Sequence, residues 1–130
     1  KLLGVDYGEA KIGLAIGDLV SGVATPFGVI KNLGWNNVLS EIKSICDKEG
    51  IGKIIIGVPV NPQSLESEQI RKIENLIGQL KEKTGLEVAG RDERFSTQAA
   101  QKLITRGKDH DDDVAAMLIL QDYFDSESLK

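Results

Sequence analysis

The stretch Lys53-Ile54-Ile55-Ile56-Gly57-Val58-Pro59 constrains this chain more than any other. Three consecutive isoleucines leave no polar alternation, so a strand made of them is covered on both faces, and such strands belong to parallel sheets sandwiched between helices. The flanks agree with that reading. Upstream, Val38, Leu39, Ile42, Ile45 and Cys46 recur at three- and four-residue spacing, the stripe of an amphipathic helix that Gly50 stops. Downstream, Ile70, Ile73, Ile77 and Leu80 form the stripe of a second helix over 64–83. Glu66 and Glu68 stand in its first turn and Lys81 and Lys83 in its last, as the helix dipole favours.

The opening of the chain follows a different period. Leu2-Leu3-Gly4-Val5-Asp6 reads as a buried central strand that ends in a carboxylate. Residues 12–16 and 23–30 follow glycine-bearing turns, so three strands form an antiparallel meander, and Pro26 places the third towards an edge. Leu86-Glu87-Val88-Ala89 is a short fifth strand running into Gly90-Arg91-Asp92-Glu93-Arg94. Ser96 caps a third helix through about Arg106, closed by Gly107. A last helix starts near Asp111 to Asp113 and runs to Leu120, apolar nearly all round and therefore buried, before a ragged tail from Asp125 to Ser128.

The order βββαβαβαα describes an α/β fold, a mixed five-stranded sheet with helices on both faces. With 130 residues, 41% of them hydrophobic, the chain supports one core and is read as one domain over 1–130. Its apolar runs fall far short of the ~20 residues that a membrane span needs. A lone cysteine, Cys46, and the lack of an opening apolar leader point to the cytoplasm. Sixteen basic against twenty acidic residues give a net charge of −4, which excludes a global positive field for nucleic acid and leaves only a local patch.

Three acids stand out by position. Asp6 ends the first strand, Glu93 lies just past the fifth, and Asp112 opens the last helix. Ligands gather at the carboxyl ends of parallel strands, where carboxylates brought together repel unless a divalent cation neutralises them. Oxygen donors without a His or Cys cluster favour Mg²⁺ or Mn²⁺, and two such ions would activate water against a phosphodiester. Each acid also has a plainer reading: Asp6 as a turn residue, Asp111 to Asp113 as N-terminal acids facing the helix dipole, Glu93 as a loop charge beside Arg91 or Arg94. His110 reads as a loop residue and Cys46 as core.

Together these segments resemble the YqgF/RuvX family, the Holliday junction resolvase and pre-16S rRNA nuclease group of the RNase H-like superfamily. The matching stretches are Gly4-Val5-Asp6-Tyr7-Gly8 with Lys11-Ile12-Gly13-Leu14-Ala15, then Ile55-Ile56-Gly57-Val58-Pro59-Val60-Asn61, then Asp92-Glu93-Arg94-Phe95-Ser96-Thr97, and Asp112-Asp113-Val114-Ala115-Ala116 with Ile119-Leu120-Gln121. They stand in the family's order and span nearly the whole chain. The resemblance implies an RNase H-like sheet and a nuclease whose catalytic, metal-holding acids are Asp6, Glu93 and Asp112. The family's last Asp stands three residues before the Ala-Ala pair, which selects Asp112 and leaves Asp113 as a further metal-side neighbour. The same motifs imply phosphate contacts from Lys11, Arg94, Ser96 and Thr97, with Asn61 near the fourth strand's end.

Three departures matter. Lys11 stands where the family often has Arg, which keeps the charge and loses the bidentate fork. Pro62-Gln63-Ser64 replaces the usual Asp-Gly after Asn61. The segment 107–111 is shorter than the family's basic loop and adds two acids, which weakens the case for branched DNA.

The expected function is a metal-dependent nuclease acting on structured nucleic acid, foremost the 5′ end of pre-16S rRNA. Holliday junction resolution and a noncatalytic RNA-binding role in ribosome assembly are the alternatives. An ATP-binding, sugar-kinase-like chain would need two domains to hold its nucleotide. Partners would be pre-rRNA or branched DNA and no membrane, with the chain a monomer or a homodimer. Lys11, Arg91, Arg94, Lys102, Arg106 and Lys108 form a candidate basic rim, each equally explained as solvated surface. Tyr7, Trp35 and Phe95 are scattered and offer no evident stacking platform, so recognition would rest on backbone shape.

Overall fold

The opening glycine-bearing turns produce the expected meander of β1 (Leu2–Asp6), β2 (Lys11–Asp18) and β3 (Val23–Lys31). Helix and strand then alternate in the computed structural model: α1 (Trp35–Glu49), β4 (Lys53–Pro59), α2 (Ser67–Thr84), β5 (Glu87–Glu93) and α3 (Asp111–Ser128). The described residues are 1–59, 67–93 and 111–128. The helix expected over 96–106, and the first residues of the one expected over 64–83, lie outside them.

The strands lie in the order β3-β2-β1-β4-β5. β1 pairs antiparallel with β2 and parallel with β4, which pairs parallel with β5. The isoleucine run is thus flanked by strands on both sides and covered on both faces. Ile54 and Ile56 pack with Leu3, Val5 and the stripes of α1 and α2, whereas Ile55 packs with Leu2, Ala15, Ala24 and α3. As Pro26 requires, β3 lies at an edge. A bulge there pairs Leu14 with Gly28 and Ala15 with Pro26, leaving Phe27 between them and partly exposed.

α3 sits directly on β1. A Cβ at Gly4 would come within 2.9 Å of both the Ala116 carbonyl oxygen and Leu120 Cβ. At Gly17, beside Leu2 in the sheet, it would strike the Phe124 ring and lie 2.7 Å from the Val23 carbonyl oxygen. These two close approaches set the direction of α3: its first turn lies towards the Asp6 end of β1 and its later turns towards the Leu2 end.

Two boundaries differ from the sequence reading. β5 continues past Ala89 to Glu93 because β4 offers backbone partners as far as Pro59, which pairs with Glu93. α3 continues past Leu120 through the supposed tail to Ser128. Phe124, 3% exposed, extends its buried stripe. Gln121 accepts a hydrogen bond from the Ala24 amide at 2.9 Å and donates to the Gly22 carbonyl at 2.8 Å, tying the helix to the β2–β3 turn. No described helix is long and apolar enough to cross a membrane.

Candidate active site

Parallel strands joined by crossovers point their carboxyl ends at one edge of the sheet, and here β1, β3, β4 and β5 all do so. That rim collects the chain's candidate chemistry. Asp6 is the last residue of β1 and Glu93 the last of β5, with β4 between them. Glu93 therefore closes a strand, where the sequence reading put it just beyond one.

The two sheet faces are distinguished by strand parity. Leu2 and Gly4 meet α3, so position 6 shares their parity. In β5, Ala89 packs on the α3 side, and position 93 has its parity. The third expected acid follows from the helix register. Ala116 lies over Gly4, and position 112 is one turn earlier, a rise of about 6 Å. Asp6 is two residues beyond Gly4, an advance of about 6.6 Å along the strand. The start of α3 is therefore level with the end of β1, on the face whose parity positions 6 and 93 share.

At Glu93 and Asp112 only the backbone belongs to the described structure. Asp6 is half-buried, and Asp113 is 7% exposed on the stripe it forms with Ala116 and Leu120. Both already interact with other groups of the chain. Asp113, the less favoured acid of the sequence reading, is thus an inward-facing carboxylate at this rim. Among the described residues no three Asp, Glu, His or Cys side chains cluster tightly enough to hold a metal ion. The chemistry of the candidate donors nonetheless fits a hard divalent cation, since the acids of this rim offer carboxylate oxygens. Cys46 is buried in the opposite core, where desolvation pushes its thiol up to about 11.

The expected basic rim is divided by the structure. Lys11 is exposed at the start of β2, paired across the ladder with the equally exposed Lys31 at the end of β3. Arg91 is drawn elsewhere. Its Nε is 2.7 Å from Asp122 Oδ2, and its guanidinium lies 5.9 Å from the Tyr123 ring. Asp122 stands ten residues after Asp112, about 15 Å down the helix. Arg91 therefore ties β5 to the far part of α3. Beside it, Lys53 bridges Glu87 at 2.8 Å and Tyr123 Oη at 2.9 Å, contacts that raise the lysine's pKa and lower the glutamate's. Asn61, Arg94, Ser96, Thr97, Lys102, Arg106, Lys108 and His110 lie outside the described residues.

One arrangement at the rim was not legible in sequence. Tyr7 and Trp35, read as scattered, stack with centroids 5.8 Å apart and planes 11° from parallel. The meander brings them together, because β3 ends on the edge where β1 ends. Asn32 fixes the junction by donating to the Gly8 carbonyl at 2.9 Å and to Tyr7 Oη at 3.2 Å. The pair stands on the α1 side of the rim, immediately after Asp6.

Residues 1–126 match the family model described as RuvX: Holliday junction resolvase. A Clostridium tetani protein is 34% identical over 97% of this chain and 96% of its own length; a Thermoanaerobacter pseudethanolicus protein is 33% identical over 100% and 99%. Both are named "Putative pre-16S rRNA nuclease". Among solved structures, Thermus thermophilus RuvC in complex with a Holliday junction substrate has a TM-score of 0.65 at 11% identity, covering 98% of this chain and 94% of that one. A Fowlpox virus resolvase bound to Holliday junction DNA has a TM-score of 0.60 at 15% identity, covering 97% of each chain. These two likenesses show a shared fold.

Proposed function

The chain belongs to the RuvX family of Holliday junction resolvases, and from that premise we propose that it is a nuclease that hydrolyses phosphodiester bonds of structured nucleic acid, trimming the 5′ end of pre-16S rRNA. The observation that carries this reading is the level alignment of three acid-bearing positions, 6, 93 and 112, at one rim and on one face of the sheet. The names of the curated relatives, which match this chain over nearly their whole lengths, favour the ribosomal substrate.

In this reading Asp6, Glu93 and Asp112 hold Mg²⁺ or Mn²⁺, with Asp113 supporting the set from its buried position. When bound, such ions supply an activated water and stabilise the leaving oxygen of the phosphodiester. The protein's own residues do the positioning. The three acid-bearing positions stand on two strands and a helix whose backbone is fixed by the sheet ladder and by the packing of α3, which favours a preorganised site. Lys11 meets the substrate backbone from the hairpin that follows Asp6, and Asn61, Arg94, Ser96, Thr97, Arg106 and Lys108 extend the phosphate contacts. Such contacts fix register without reading sequence. The setting is the cytoplasm, with the chain acting as a monomer or a homodimer.

The test is cleavage of single-stranded RNA, pre-16S rRNA and a four-way DNA junction with Mg²⁺ or Mn²⁺, alongside Asp6→Asn and Glu93→Gln. The reading expects the parent to cut the rRNA precursor and both folded variants to lose that activity. Preferential, paired cutting of the junction by a dimer would replace the ribosomal substrate with junction resolution. Equal behaviour of parent and variants on every substrate would overturn the nuclease assignment and leave a binding factor.

A further inference from the structure

We propose that the Tyr7–Trp35 ring pair is a stacking platform for an unpaired base of the RNA strand beside the cleavage site, so that a single-stranded segment next to the cut is what this rim selects. The inference rests on the nuclease reading above for the position of the cut. It stands independently on the geometry of the rings.

Tyr7 is the residue after Asp6, so the ring pair begins one Cα step, about 3.8 Å, from the first candidate catalytic carboxylate. The two lie on opposite sides of the rim: Asp6 has the parity of the α3 face, and Tyr7 packs on the α1 side. In this proposal a strand whose phosphate lies at Asp6 crosses the rim, which brings its neighbouring base to the rings. Both rings are only half-buried. Near-parallel aromatic planes present a flat apolar face, and any base stacks on such a face whatever its identity.

The platform is held rigid. Asn32 donates to Tyr7 Oη and to the Gly8 carbonyl, accepts from the Gly34 amide at 3.2 Å, and its own amide donates to the Ala10 carbonyl at 3.0 Å. Four bonds thus lock the segment after Asp6 to the start of α1. Charge singles out the occupant. Lys11 and Lys31 face each other across the ladder at this edge, both exposed, while the nearby Lys72 is 3.3 Å from Glu9. Ile12 and Ile30 pack on the α1 side, so positions 11 and 31 have the α3-side parity of Asp6, and in a chain of net charge −4 these two exposed lysines suit the anionic backbone there while the ring face across the rim suits its bases. A base paired within a duplex cannot reach it.

Trp35 is the only tryptophan, so its fluorescence reports the platform directly. Asp6→Asn, used to prevent cutting, is titrated with a short single-stranded RNA, the same RNA carrying abasic positions, and a blunt duplex. Saturable quenching by the intact single strand, reduced by abasic positions and by the duplex, is the expected result. In the same background Trp35→Leu, which keeps an apolar packing group without a π face, weakens binding of labelled single-stranded RNA roughly 10-fold by anisotropy. Trp35→Phe restores it. Urea unfolding of each variant separates lost binding from lost folding. Equal quenching by duplex and single strand, or unchanged RNA binding in a folded Trp35→Leu, would overturn the proposal. If the otherwise unmutated chain cuts nothing while the quenching pattern holds, the nuclease reading fails and the platform stands.

Discussion

Replacing Gly4 by alanine tests the claim that α3 sets the acids at the start of that helix against Asp6. The new Cβ would stand 2.9 Å from the Ala116 carbonyl oxygen and from Leu120 Cβ, 0.5 Å inside the 3.4 Å at which ordinary contact begins. Both obstacles are firm, one being helix backbone and the other the root of a side chain that is fully buried. The helix must therefore lift from β1 by about half an ångström or more. Overpacking of this kind costs about 1–3 kcal/mol, a fall of roughly 1 M in the urea midpoint for a domain of this size. The shift acts one turn from positions 112 and 113. A misplacement approaching 1 Å at reacting groups lowers turnover by roughly 100-fold.

Gly17→Ala is the matched control. It clashes with Phe124 and the Val23 carbonyl at the opposite end of the same helix–sheet contact, so it lowers stability at least as much while leaving the rim closer to its parent geometry. Urea unfolding followed by tryptophan fluorescence, with cleavage rates measured where both variants are fully folded, distinguishes the two effects. If Gly4→Ala matches the parent in both measurements, or if folded Gly17→Ala loses as much activity as folded Gly4→Ala, the reasoning is wrong.

Other consequences follow from the packing and the charges. Phe124→Ala removes a ring that is 3% exposed and destabilises the chain by about 3–5 kcal/mol in chemical unfolding, whatever its effect on cleavage. Gln121→Ala leaves the Ala24 amide and the Gly22 carbonyl without their side-chain partner and costs about 1–3 kcal/mol, with faster amide exchange at Ala24 as the local sign. The Cys46 thiol, raised to about 11 by burial, resists iodoacetamide at pH 8 until denaturant opens the fold. Because its folded pKa lies above the ordinary thiol value of 9.0, its contribution to stability is whole below pH 9 and is lost as the pH rises through about 11. Cys46→Val, with no proton to lose there, therefore narrows its stability gap to the parent, or overtakes it, across that window in pH-dependent unfolding.

The sheet was legible in the sequence wherever burial left a periodic mark. The isoleucine run announced β4 because a strand covered on both faces has no polar alternation, and Pro26 announced an edge because it has no amide to donate. Where backbone pairing alone extends an element, the pattern was silent. Residues 91–93 join β5 through partners on β4 that no property of their own side chains signals. Phe124 lengthens α3 because a groove beside Gly17 receives it, a tertiary fact absent from the local sequence.

The site divides along the same line. Asp6 was conspicuous as a carboxylate closing an apolar strand. The choice between Asp112 and Asp113 turned on motif spacing, which cannot register that position 113 shares the inner stripe with Ala116 and Leu120. Arg91 looked like a phosphate ligand by its neighbourhood in sequence, yet its partner, Asp122, is 31 residues away. Tyr7 and Trp35 are 28 positions apart, and only the return of β3 to the edge of β1 makes them one surface.

The placement of α3 also orders events in time. The face formed by Leu2, Ala15, Ala24 and Ile55 is covered, among the described elements, by this helix alone, and positions 6 and 112 are 106 residues apart in the chain. Chains emerge from the ribosome N-terminus first, so the sheet is made with one side bare and the acids at its rim incomplete. A chain ending at residue 110 should bind a hydrophobic dye and cut nothing, and restoring the last helix should reverse both. An enzyme assembled in this order, with the proposed acids as its cutting edge, would be inert until nearly all of it had left the machine whose RNA it would trim.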